Sequence, residues 1–164
     1  MSRFVLVKFD FHELYSVFVA LPFLVIGCVA AWQQLREPSA ERVAATLEAL
    51  RALSWEEFSA ALEDAYRRDG FDASRLNVAG ADLELTRAAR VTVVGCKRWK
   101  VARTGIEPLK ELDAARRARE AHECIYVAAG EITENARAFA AEKNIRLLHG
   151  AELAKLVPAG TARR

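Results

Sequence analysis

Cysteine is scarce. The 164-residue chain holds three, Cys28, Cys96 and Cys124, with no CxxC pair. That excludes a disulfide scaffold and a thiolate zinc ribbon. A large charge of either sign is missing too: 24 Lys+Arg against 22 Asp+Glu leave +2. A histone-like or tail-like polycation is thereby excluded, and the 52% hydrophobic content excludes wholesale disorder. There is no internal repeat, and no low-complexity segment beyond the short tail 159–164, read as disordered. His122 and His149 have no second His or Cys at ligand spacing, so both read as structural or surface residues. The length suits one ordinary domain with an appendage.

What is present is uneven. The mean hydropathy of +0.02 is high for a chain that is 28% charged. Leu14 to Trp32 reads LYSVFVALPFLVIGCVAAW, 19 residues without a charge. As a helix it would be about 28 Å long, close to the thickness of a bilayer core. Tyr15 and Trp32 stand at its ends, where amphipathic rings favour the interface. We therefore expect an N-terminal flank at 1–13 and a transmembrane helix at 14–32. A cleaved signal peptide fits less well, because the run is long and Asp10 and Glu13 precede it. Val25-Ile26-Gly27-Cys28 resembles a lipobox that would lipidate Cys28, but Val29 to Trp32 stay apolar where lipoproteins turn polar. Arg36, Arg42 and Arg51 against Arg3 and Lys8 lean toward a cytoplasmic C-terminal part at a bacterial inner membrane.

The rest reads as a folded domain. Residues 33–53 form an expected helical juxtamembrane linker, with Val43, Leu47 and Leu50 at helical spacing. It spans too few heptads to establish a self-associating coil, so a homodimer stays open. The domain proper is expected at 54–158. Ser54-Trp55-Glu56-Glu57 is a capping box opening a helix that carries Phe58, Leu62 and Tyr66 and ends near Gly70. Strands are expected at Asp72–Val78, Ala81–Thr86 and Val91–Cys96, with a turn at Thr86–Arg90. A helix from Gly105 to about Ala121, a strand at Ile125–Ala129, a Thr133-capped helix to Asn144, a strand at Ile145–Leu148 and a last helix at Ala151–Val157 follow. That order implies an α/β fold, a mixed sheet flanked by helices on both faces.

Chemistry concentrates at one hairpin. Asp82 sits on one strand and Lys97 at the end of the next, so their side chains can converge at a sheet edge. A carboxylate there can hold a divalent ion and a nearby Lys can orient a water. The plain alternative is a surface ion pair across the hairpin. Five segments extend the pattern in order: Ser54-Trp55-Glu56-Glu57-Phe58 through Gly70-Phe71, Gly80-Ala81-Asp82-Leu83, Gly95-Cys96-Lys97-Arg98-Trp99, Ala128-Ala129-Gly130-Glu131-Ile132-Thr133, and Leu147-Leu148-His149-Gly150 through Leu153. Together, from about Leu53 to Val157, they resemble the catalytic domain of the Mrr-type restriction endonuclease family, a member of the PD-(D/E)xK nuclease fold.

The resemblance implies a restriction-endonuclease-like fold and metal-dependent hydrolysis of a DNA phosphodiester with Mg2+. It makes Asp82 a metal ligand, Lys97 the residue that orients the attacking water, and the backbone carbonyl of Cys96 a further ligand. The chain departs from the family at Gly95, where a Gln or Glu ligand is usual. Glu84 is a candidate replacement, since two residues along a strand share a face, and Glu63 a weaker one; each also reads as a solvated surface carboxylate.

From Lys97 to Arg119 the bases are Lys97, Arg98, Lys100, Arg103, Lys110, Arg116, Arg117 and Arg119, against Glu107, Glu111 and Asp113. They read as phosphate contacts or as a solvated helix face. Trp99 could stack on a base, but a strand-end Trp is more often core. Cys96 and Cys124 read as small buried apolar groups. Two functions follow: a membrane-anchored, metal-dependent DNA endonuclease, or a catalytically inactive DNA-binding module on the same fold.

Overall fold

The computed structural model describes residues 39–158. The expected span at 14–32, its flank, Cys28 and the tail at 159–164 lie outside the described residues. Among the described residues no helix is long and apolar enough to cross a membrane.

Helix α1 (Ala40–Ala52) is capped by the Ser39 hydroxyl. Helix α2 (Trp55–Arg68) opens on the complete Ser54/Glu57 capping box. Then come β1 (Asp72–Val78), β2 (Ala81–Arg87), β3 (Arg90–Gly95), β4 (Arg103–Thr104), α3 (Glu107–Ala118), β5 (Glu123–Ala128), β6 (Glu131–Ile132), α4 (Glu134–Lys143), β7 (Ile145–His149) and α5 (Gly150–Leu156).

The main sheet runs β1-β2-β3-β5-β7. The first three strands are antiparallel neighbours, while β3/β5 and β5/β7 are parallel. This is the helix-flanked mixed sheet that the element order implied. The hairpin turn is tighter than expected: β2 and β3 stay paired to Arg87 and Arg90, leaving Ala88 and Ala89 at φ of 49° and 61°. Strands β4 and β6, which the sequence did not announce, form a separate parallel pair.

Alternation along the strands fills two cores. Leu83, Leu85, Val94 and Val127 pack on one face with Leu50, Phe58, Leu62 and Leu153. Val93, Tyr126 and Ile145 pack on the other with Leu109, Leu112 and Ala136. Helix α1, expected as a linker, is part of the folded body. Leu50 is fully buried, and its carbonyl accepts from Trp99 Nε1 at 3.1 Å.

Candidate functional site

The site is built where β2 begins and β3 ends. Gly80 enters β2 at φ +83°, and a Cβ on it would lie 2.4 Å from the backbone of Glu111 on α3. Only glycine lets the chain turn there with α3 so close. Two residues on, Asp82 is half-buried. The register pairs Leu83 with Val94 and Glu84 with Val93, so one further antiparallel step sets Asp82 opposite Gly95, on the same face of the sheet.

Beyond Gly95 the strand ends, and its next two amides turn to the carboxylate. Asp82 Oδ2 accepts from Cys96 N and from Lys97 N, both at 2.7 Å. A cleft of about 540 Å³ opens here, lined by Asp82, Lys97, Arg98, Glu111 and Tyr126 among others. Asp82 and Lys97 therefore do share one cleft. The exposed Lys97 ammonium has no hydrogen-bond or ion-pair partner among the described residues.

The remaining metal ligands do not assemble. Gly95 offers no side chain, and a Cβ placed on it would stand 2.9 Å from the Gly80 carbonyl oxygen and 3.4 Å from Leu112 Cδ1. Glu84 is already engaged: Arg119, just past the end of α3, donates to it at 2.8 Å from Nε and 2.7 Å from Nη2. Glu63 is not a solvated surface carboxylate. It is 7% exposed and holds Arg67, at 3.0 Å, and Arg75. Among the described residues no three His, Cys, Asp or Glu side chains gather into a group that could hold a metal. The Cys96 carbonyl already accepts from Trp99 N at 3.2 Å. One carboxylate with two amides on a single oxygen, beside a residue with neither a side chain nor room for one, does not fit a divalent centre held by the protein.

The basic stretch is also not one patch. Arg116 and Arg117 both close on the buried Asp113, each at 2.7 Å. Burial alone would raise the Asp113 pKa, but the Arg116 hydrogen bond and the two guanidinium charges outweigh it and hold the carboxyl below its ordinary value. Arg119 is on Glu84, Lys110 on Glu107 at 2.9 Å and Arg98 on Glu111 at 3.7 Å. Lys97, Lys100 and Arg103 have no acidic partner among the described residues; the two lysines lie in the loop after β3, and Arg103 opens β4.

Trp99 fastens that loop. It is 4% exposed and stacks on Phe58 with centroids 4.4 Å apart, so it is core and unavailable to a base. Its backbone carbonyl accepts from Ala129 N at 2.9 Å, and Arg51 on α1 donates to the Ala129 carbonyl. The cysteines behave as buried apolar groups: burial pushes the Cys96 thiol well up, and the Cys124 thiol to about 11. Tyr126, in the cleft beside Gly95, went unnoticed in the sequence because β5 is apolar on both faces and shows no alternation.

Comparison with protein families matches the model described as Mrr_cat, restriction endonuclease, over residues 50–157. The chain belongs to the Mrr_cat restriction endonuclease family. Comparison with curated proteins finds no match. Among solved structures, a "Crystal Structure of Protein of Unknown Function AF1548" is similar at 14% identity, with 53% of each chain covered and a TM-score of 0.46. In this Mrr_cat domain Asp82 and Lys97 line one cleft, and Gly95 beside them carries no side chain.

Proposed function

We propose that this Mrr_cat protein binds DNA through Lys97 and Lys100 of the loop after β3 and Arg103 at the start of β4, and that phosphodiester hydrolysis is lost or greatly slowed. The observation that carries this reading is Gly95, packed so close to the Gly80 carbonyl that no ligand side chain has room. Family membership supports DNA as the partner. The uncharged run 14–32 would tether the domain to a membrane, with the domain on the cytoplasmic side.

The test uses the full chain, purified with detergent present. Duplex binding should persist in EDTA and weaken with salt at a log–log slope of about −3, for three freed phosphate contacts. Replacing Lys97, Lys100 or Arg103 by Ala should each reduce that slope by about 1. Plasmid with Mg2+ should show no nicking that Asp82→Ala abolishes. Binding that ignores all three substitutions sinks the proposal.

A second reading is slow, Mg2+-dependent nicking. It is favoured by one observation: Asp82 and Lys97 line the same cleft, and the described residues leave the Lys97 ammonium without a partner. Magnesium is often held by a single carboxylate together with waters and substrate phosphates. Nicking that needs Mg2+ and disappears in both Asp82→Ala and Lys97→Ala would establish it.

A further inference from the structure

A second groove, of about 670 Å³, shares no residue with the Asp82 cleft. Its rim carries Arg68, Arg87, Arg90, Arg146 and Lys155, drawn from α2, the β2–β3 hairpin, β7 and α5. Asp69, Glu123 and Glu152 are the acids that face it. Not all the cations are free. Arg90 pairs with Glu123 at 3.1 Å, and Arg87 lies 4.0 Å over the Phe71 ring while donating to the Asp69 carbonyl. Arg146 and Lys155 have no hydrogen-bond or ion-pair partner among the described residues.

The floor adds a second observation. Tyr66 and Thr92 line the groove and are each 6% exposed. Neither hydroxyl bonds to another described residue, and neither belongs to the buried polar atoms left without a partner, so both oxygens are accessible from the groove. Burial pushes the Tyr66 phenol above its ordinary value while Arg146 pulls it down, and the net rise keeps it a proton donor at neutral pH. Two hydroxyl donors beneath two unengaged cations form a recognition surface for an oxyanion. The volume lies in the range of small-ligand sites.

We propose that this groove is a phosphate-binding site, with Arg146 and Lys155 supplying charge and the Tyr66 and Thr92 hydroxyls supplying neutral donors. The phosphate can come from a free nucleotide or from a DNA backbone. The site is independent of hydrolysis at Asp82.

The test is calorimetric titration of the full chain with inorganic phosphate, with ADP and with a short duplex. Arg146→Gln should weaken binding about tenfold, the scale of one charge-assisted hydrogen bond. Tyr66→Phe keeps the ring and its packing, so a severalfold loss there reads the hydroxyl alone. Lys143→Gln should leave phosphate and ADP binding unchanged, because Lys143 lines neither groove and pairs with Glu142. Loss confined to ADP and phosphate assigns a nucleotide-sized ligand. Loss confined to the duplex assigns the backbone, and in either case the site stands. No binding of any of the three, or binding that Arg146→Gln and Lys155→Gln both leave intact while thermal unfolding shows the variants folded, overturns it.

Discussion

Asp82 and Lys97 meet through the backbone: Asp82 Oδ2 accepts the Lys97 amide at 2.7 Å, beside an equal bond from Cys96. The Asp82 carboxylate thus holds the start of the cationic loop in place, whatever else it does. Charge-assisted bonds of this kind are stronger than neutral ones, and removing the acceptor strands two amides. Asp82→Ala should therefore destabilise the metal-free protein by about 1–3 kcal/mol. Asp82→Asn, which keeps one oxygen acceptor, should recover much of that loss. A carboxylate serving only as a metal ligand would make the alanine variant neutral in EDTA. Denaturant unfolding in EDTA separates the two outcomes.

Gly95 gives a different kind of test. Its φ is not in the left-handed region, so alanine is allowed by the backbone. Space is what forbids it: a methyl would press on the Gly80 carbonyl at 2.9 Å and on Leu112. Reduced freedom of the unfolded chain would favour alanine by under about 1 kcal/mol. Overpacking against backbone costs about 1–3 kcal/mol and should win. We expect a net loss of about 1 kcal/mol or more in Gly95→Ala. A stabilised Gly95→Ala would mean that the vacant position can be refilled, and would weaken the case for lost hydrolysis.

How much of this was legible beforehand differs by element. The Ser54 and Thr133 caps and the Asp82/Lys97 hairpin were readable because each rests on a local pattern: a hydroxyl before a helix, or alternation broken by Gly80. The two-residue strands β4 and β6 were not, since two residues carry no periodicity. Helix α1 was readable as a helix but not as a packed one, because its partner Trp99 is 49 residues away in sequence. The basic stretch misled because charge was counted rather than paired. Asp113 stands three and four residues before Arg116 and Arg117, a spacing that brings them together on one helix face. Two arginines could have been withdrawn from the candidate DNA contacts on that ground alone.

Trp99 links α1 to the cationic loop. Trp99→Phe keeps an aromatic ring against Phe58 but removes the Nε1 donor to Leu50 and the volume of the indole's second ring. The expected loss is about 1–2 kcal/mol of stability, from the lost hydrogen bond and the space the smaller ring leaves, while the Leu50 carbonyl still accepts from Leu53 N at 3.3 Å. Trp99→Ala should cost about 3–5 kcal/mol through the cavity it leaves. If DNA contact depends on the loop's position, Trp99→Phe should also weaken duplex binding under conditions where thermal scans show it fully folded. Unchanged affinity would confine Trp99 to the core.

The Asp113 cluster gives a pH signature. Its carboxyl is held below the ordinary value of 3.8, chiefly by the Arg116 hydrogen bond and the adjacent guanidinium charges working against burial. A depressed folded pKa means that the stabilisation is fully present above the unfolded value and lost as pH falls through the folded one. Asp113→Asn should therefore be less stable than wild type at pH 7, by about 1–3 kcal/mol for a buried acceptor deprived of its charge. The gap should hold down to about pH 5, then narrow as the wild-type carboxyl protonates. Chemical denaturation of both proteins between pH 3 and pH 7 measures it. A gap that stays constant across that range would show that Arg116 and Arg117 draw no stability from the ionised carboxylate. They would then return to the set of cations open to phosphate.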